Sequence, residues 1–181
     1  PCGFQDDGHA FVAIAISRSG MSTHTEARTE RRSHYRYFAP LPLQAADNDD
    51  HGRARLAACL AGFEQLLDDF LSHECGLPAP PHHSTARSTA DGSVSWHSHS
   101  FEGHCRLHRI FGFPDSIEVA LRVADIGSCA VRFEMALFPA GSEASAKPLA
   151  TGSVVRVFVP AAAGHAQERS KPARLPQPLR D

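Results

Sequence analysis

Residues 47–71 read DNDDHGRARLAACLAGFEQLLDDFL, and two patterns meet in that stretch. The second half repeats apolar side chains at Leu56, Leu60, Phe63, Leu67, Phe70 and Leu71, mostly three or four apart. That spacing predicts an amphipathic helix over residues 54–73, about five turns long. Gly76 stops it and Pro78 keeps it from resuming. Ala57, Ala58, Ala61 and Gly62 are small, which lets a neighbour pack very close and suits a sheet wrapped tightly around the helix. The first half, Asp47-Asn48-Asp49-Asp50-His51-Gly52, is an acidic loop feeding into the helix start. There, unpaired backbone N–H groups and the helix dipole can hold a developing negative charge. A carboxylate that attacks or activates water, beside donors for an oxyanion, is a minimal hydrolytic site. The plainer reading is an N-cap and a solvated acidic loop.

Outward from this stretch the period changes. Residues 35–46 mix aromatic and aliphatic side chains and read as a first strand. Residues 78–92 are rich in Pro, His, Ser and Thr and read as a long loop. Ile117, Val119, Leu121 and Val123 then alternate with Glu118, Ala120, Arg122 and Ala124. After a turn at residues 125–128, Val131, Phe133, Met135 and Leu137 alternate with Arg132, Glu134 and Ala136. Residues 139–145 make the next turn, and residues 149–159 form the last strand. Strict alternation with short turns means an antiparallel meander with one buried face. The order is strand, long helix, then four strands, which is an α+β domain.

Length and composition bound the rest. The chain has 181 residues, 42% of them hydrophobic, enough for one packed domain with some tail. A formal net charge of -2 gives no electrostatic case for nucleic acid or anionic lipid, and no apolar run reaches the length of a membrane span. Cys2, Cys59, Cys75, Cys105 and Cys129 are odd in number with no C-x-x-C pair, which argues for a reducing compartment over a disulfide framework. Met21 reads as an initiator, with residues 1–20 upstream of it. Arg28, Arg31, Arg32 and Arg36 among Ser and Thr faintly suggest a mitochondrial presequence, against which Glu26 and Glu30 count. The expected location is cytoplasmic, with mitochondrial as the alternative. The absence of a G-x-S-x-G elbow, a P-loop and a G-x-G-x-x-G disfavours an α/β serine hydrolase and a nucleotide-fold enzyme.

The element order and motifs together resemble the hotdog-fold acyl-CoA thioesterases of the 4-hydroxybenzoyl-CoA thioesterase type. That family often shows Asp-x-Asp-x-x-Gly-His-Val-Asn-Asn ahead of its central helix, and residues 47–52 match the first six positions. His104-Cys105-Arg106-Leu107, Phe113-Pro114-Asp115, Val131-Arg132-Phe133-Glu134 and Ala150-Thr151-Gly152-Ser153 look like its later strands and turns, and the segment from Lys171-Pro172 to Leu179-Arg180 like its ending. The resemblance implies a curved antiparallel sheet around one long helix, with residues 1–34 as an N-terminal extension, 35–160 as the hotdog domain and 161–181 as an extended tail. Where the family has His-Val-Asn-Asn, this chain has Arg53-Ala54-Arg55-Leu56. Two arginines beside the acid either lower its pKa and blunt it as a base, or bind phosphates or an acidic acyl group.

By that resemblance Asp49 takes the place of the catalytic carboxylate, with oxyanion donors at the N–H groups near Gly52 and Arg53. Glu64 is a second acidic candidate, because some related thioesterases use a helix carboxylate; a salt bridge at a subunit contact is its structural alternative. Arg106, Arg109, Lys147 and Arg174 are the basic residues offered for coenzyme A, against plain surface roles. His97 and His99 share a strand face, but no third ligand has metal-site spacing, and the expected mechanism is metal-free, with no cofactor other than the coenzyme A of the substrate. The implied function is hydrolysis of an acyl-CoA to free acid and coenzyme A by a homodimer or homotetramer. A non-catalytic acyl-CoA-binding or scaffold protein is the alternative. A hotdog hydratase is disfavoured, since its Asp-x-Asn-x-x-His pattern would place the leading Asp on Ala46.

Overall fold

Val131, Phe133, Met135 and Leu137 all lie buried on one face of strand β4 (Ala130–Pro139), and that face is the floor on which the long helix at Leu56–His73 rests. The computed structural model describes residues 30–77 and 96–160. Besides β4, its elements are β1 (Tyr37–Leu41), α1 (Leu56–His73), β2 (Trp96–Leu107), β3 (Ile117–Ile126) and β5 (Ala150–Pro160), with short 3-10 turns at Arg32–His34 and Ala45–Asp47. The five strands form one antiparallel sheet in the order β1-β3-β4-β5-β2. The expected meander is β3-β4-β5. Helix α1 touches β3 and both edge strands, β1 and β2, so the sheet curls around it.

The helix buries Cys59, Gly62, Phe63, Leu66, Leu67 and Leu71 against that floor. Each large apolar side chain fully buried here contributes roughly 1.5–3 kcal/mol. The close approach expected of the small residues is made by Gly62 alone: a Cβ there would stand 2.5 Å from Leu41 Cδ1. Ala57 and Ala61 are exposed instead. The helix ends as expected. Gly76 adopts φ 62° and the Leu77 N–H folds back to the Leu71 carbonyl at 2.9 Å, a Schellman-type closure.

Two boundaries differ from the sequence reading. The first strand stops at Leu41 rather than residue 46, because its partner β3 begins at Ile117, opposite Leu41. The helix begins at Leu56 rather than residue 54, because Arg55 is extended (ψ 146°) and Ala54 pairs with Asn48 as an isolated antiparallel bridge. On β2, a bulge between Ser100 and Glu102 switches which side chains face the helix. Ser100 meets α1 before the bulge, and Cys105 packs on the core after it.

The outer face of the sheet carries a smaller cluster of Tyr35, Ala120, Ala136 and Phe138, with Tyr35 edge-on to Phe138. Residues 30–34 help to cover it. Arg32 pairs with Glu118 and lies over Phe38, and Arg122 pairs with Glu30 and Glu134. Packing therefore begins ahead of residue 35. Burial raises the Tyr35 pKa, aided by the Glu30 charge. Among the described residues no helix is long and apolar enough to cross a membrane. The expectations for residues 1–29, 78–92 and 161–181, Arg174 included, lie outside the described residues.

Candidate active site

The loop before α1 is held by its own residues and by one distant loop. Asp47 accepts the Gln44 N–H at 2.8 Å, closing the 3-10 turn, while its carbonyl accepts the Arg55 N–H at 2.9 Å. Asn48 then acts as a clamp. Its side-chain amide donates to the Phe113 carbonyl and accepts the Phe113 N–H, both at 3.0 Å, as a neighbouring strand would. Gly112 sits in the grip of this clamp. A Cβ there would lie 2.4 Å from the Gly52 carbonyl oxygen and 3.1 Å from the Ala54 nitrogen, so only glycine permits the approach. Gly52 itself turns the loop at φ 74°.

Asp49 is held inside this frame. Its Oδ1 accepts the N–H groups of His51 and Arg53, each at 2.9 Å, and its Oδ2 accepts Arg53 Nε and Nη2, each at 2.8 Å. The Arg53 backbone N–H, the His51 N–H and the Arg53 guanidinium hold the carboxyl below its ordinary pKa, against an opposing push from desolvation. Asp49 is therefore a carboxylate throughout the physiological range, and a weak base. Of the two outcomes open for the arginines, Arg53 realises the first.

The expected oxyanion donors are engaged in this conformation. The Gly52 N–H donates to the Asp49 carbonyl at 3.0 Å, and the Arg53 N–H to the Asp49 carboxylate. Free donors stand slightly further along. Ala58 and Cys59 both donate back to the Arg55 carbonyl, and Arg55 gives no side-chain cap. Among the described residues the N–H groups of Leu56 and Ala57 meet no acceptor, and they stand at the positive end of an 18-residue helix.

A cavity of about 520 Å³ joins these parts. It is lined by Asp49, by the segment from Arg53 to Leu56 and by the segment from Leu107 to Phe111. Arg109, expected among the coenzyme A contacts, lines the cavity itself. Arg106 lies on β2 outside it, and Lys147 is exposed on the β4–β5 loop, also outside it. His108 is tethered away from Asp49: its Nε2 lies 2.7 Å from Thr151 Oγ1, and desolvation, then the Arg106 charge, lowers its pKa.

Glu64 is not brought to this cavity. It accepts the Ser100 hydroxyl and the Arg156 guanidinium, the latter at 2.7 Å. Asp68 pairs with the same Arg156, whose side chain is only 5% exposed. Glu64 thus belongs to an ion-pair cluster joining α1 to β5. Among the described residues no three His, Cys, Asp or Glu side chains converge as metal ligands, and the side chain of His97 lies outside the description.

Sequence reading alone did not mark Asn48, Leu56, Gly112 or Arg156. Only Arg156 left a signal. It occupies an inward position between Val154 and Phe158 on β5, where a lone arginine implies a buried carboxylate partner.

No family model matches this chain, and no curated protein matches it. Solved structures do. The PA5185 protein from Pseudomonas aeruginosa is 28% identical, covers 83% of this chain and 90% of its own, and superposes with a TM-score of 0.65. A 1,4-dihydroxy-2-naphthoyl-CoA thioesterase from Synechocystis is 17% identical, with 80% and 92% covered and a TM-score of 0.58. A thioesterase from Thermus thermophilus, solved with coenzyme A and Zn, is 18% identical, with 81% and 95% covered and a TM-score of 0.57. The chain has the hotdog fold of these thioesterases.

Proposed function

We propose that the chain hydrolyses acyl-CoA thioesters to the free acid and coenzyme A. The observation that carries this reading is that Asp49 and Leu56 line one cavity, which sets a carboxylate held below its ordinary pKa near a helix start with free N–H groups. The shared fold with proteins named as thioesterases supports it.

In this reading Asp49 attacks the thioester carbonyl carbon. The carbonyl oxygen becomes an oxyanion received by the N–H groups of Leu56 and Ala57. The C–S bond breaks, coenzyme A leaves as a thiolate, and the acyl group is held as an anhydride on Asp49. Water then cleaves the anhydride, restoring the Asp49 carboxylate and releasing the acid; its proton ends on the thiolate or in solvent. Low basicity disfavours Asp49 as a proton acceptor and leaves attack as its better role. Arg53 has to turn aside first. Its side chain is half exposed, and a pair so open to water is held weakly.

The phosphates of coenzyme A fall to Arg106 and Lys147, outside the cavity. Two copies pair along the outer edge of β2, which carries the exposed Phe101 and among the described residues bonds to β5 on its other side only. A dimer, or a tetramer built of two, is the working assembly.

One observation favours a second reading. Both oxygens of Asp49 are already occupied by His51 and Arg53, which suits a protein that binds acyl-CoA without turning it over. Thiol release measured across short, long and aromatic acyl-CoAs separates the two. Turnover of any of them supports hydrolysis, and saturable binding without release supports the binding protein.

A further inference from the structure

Arginine is concentrated at the cavity beyond what Asp49 needs. The chain carries a formal net charge of -2, yet three arginines, Arg53, Arg55 and Arg109, are among the residues that line one cavity, with Asp49 as its single acidic residue. Arg53 is spent on Asp49. Arg55 and Arg109 have no side-chain partner among the described residues, and both line the cavity, Arg55 just before α1 and Arg109 just after β2. They share the cavity with Leu56, Leu107 and Ile110, of which Ile110 is 79% exposed. A cavity with two free planar cations and an apolar lining suits a short apolar chain that ends in an anion.

Coenzyme A does not supply that anion. Its phosphates are separated from the thioester sulfur by the whole pantetheine arm, so they lie far from the carbonyl carbon when that carbon is at Asp49. An anion bound in the same cavity as the reacting carbonyl sits on the acyl side. We propose that the acyl group of the substrate carries its own terminal carboxylate, received by Arg55 and Arg109 while its methylenes lie on Leu56, Leu107 and Ile110. The substrate class is then a dicarboxylic acid monothioester, and the product a dicarboxylate. This rests on the hydrolytic reading of the same cavity.

The test compares glutaryl-CoA with valeryl-CoA, matched in chain length and differing in the terminal carboxylate, for turnover and for binding by calorimetry. The wild-type protein is expected to prefer glutaryl-CoA by about tenfold or more in kcat/KM. In Arg55→Gln and Arg109→Gln that preference is expected to fall about tenfold or more, with the preference in binding falling in step. A preference unchanged in both variants overturns the assignment. An equal loss on both thioesters also overturns it, and places the arginines on a group common to both, the coenzyme A phosphates. Wild-type turnover of valeryl-CoA with none of glutaryl-CoA overturns the acidic acyl group and leaves hydrolysis standing. Turnover of neither overturns hydrolysis, and the binding preference for glutaryl-CoA then decides the carboxylate site by itself.

Discussion

Arg53 closes on Asp49 from two directions, its backbone N–H on Oδ1 at 2.9 Å and its guanidinium Nε on Oδ2 at 2.8 Å. One residue thus both shapes the loop and neutralises its acid. The two contributions are separable, because only the second depends on the side chain. Removing the side chain leaves the N–H groups of Arg53 and His51 in place, and the former is the larger influence on the carboxyl.

Arg53→Ala is therefore expected to raise the Asp49 pKa part of the way back to its ordinary value. A depressed carboxyl stabilises the fold above its unfolded pKa, near 4, and that contribution is lost as pH falls through the lower folded value. In the variant the acid limb of the rate profile moves to higher pH, and the stability lost on acidification below the unfolded pKa is smaller and is complete at higher pH. A profile of kcat/KM against pH from about 3 to 7 checks this. An acid limb left in place would mean that Asp49 does not govern it.

Gly112→Ala is expected to open the site from a distance. The new Cβ would press on the Gly52 carbonyl and the Ala54 nitrogen, both backbone atoms that cannot swing aside. Overpacking of this kind costs about 1–3 kcal/mol. Chemical denaturation reads that loss, and the Asn48 clamp on Phe113 loosens with it, so turnover falls as well. Gly103→Ala, which meets nothing within 4 Å, is the control that stays near wild-type stability.

The cluster around Arg156 is expected to govern stability rather than turnover. Arg156→Met removes the cation that Glu64 and Asp68 share. Because both carboxylates keep some solvent contact, the cost falls to about 2 kcal/mol, below that of a fully buried pair. Glu64→Gln keeps a hydrogen-bond acceptor for Ser100 and is expected to hold kcat within about threefold. A collapse of kcat in that variant would return Glu64 to the chemistry.

The β2 edge gives a separate expectation. Phe101 is 62% exposed on a twelve-residue strand whose outer edge is free among the described residues. Phe101→Lys places a charge where two copies would meet, and is expected to shift sedimentation from dimer to monomer. A wild-type protein that sediments as a monomer would contradict the pairing.

What could be read from the sequence followed the range of each interaction. Strands β3, β4 and β5 were legible because alternation at Val131, Phe133, Met135 and Leu137 is a local pattern with one buried face. Their short turns left little choice of partner. The early end of β1 was not legible, because it is set by where the distant partner strand β3 begins, opposite Leu41. The Asn48–Phe113 clamp was not legible, because the two loops are distant in sequence and only the folded sheet brings them together. Position 49 was legible as a carboxylate beside a helix start. That Arg53 would turn onto it, while Arg55 and Arg109 remain without partners among the described residues, depends on the rotation of a tight loop that no periodicity records.

The central claim is that Asp49 performs the chemistry. Asp49→Asn tests it most directly, because the amide Oδ1 still accepts the His51 and Arg53 N–H groups while losing the charge and the nucleophilic oxygen. Coenzyme A release is measured for both proteins on glutaryl-CoA and on a panel of short, long and aromatic acyl-CoAs. The account predicts release by the wild-type protein and a fall in kcat of at least about 100-fold in the variant, with binding of the thioester retained. Release at the wild-type rate from Asp49→Asn would contradict it.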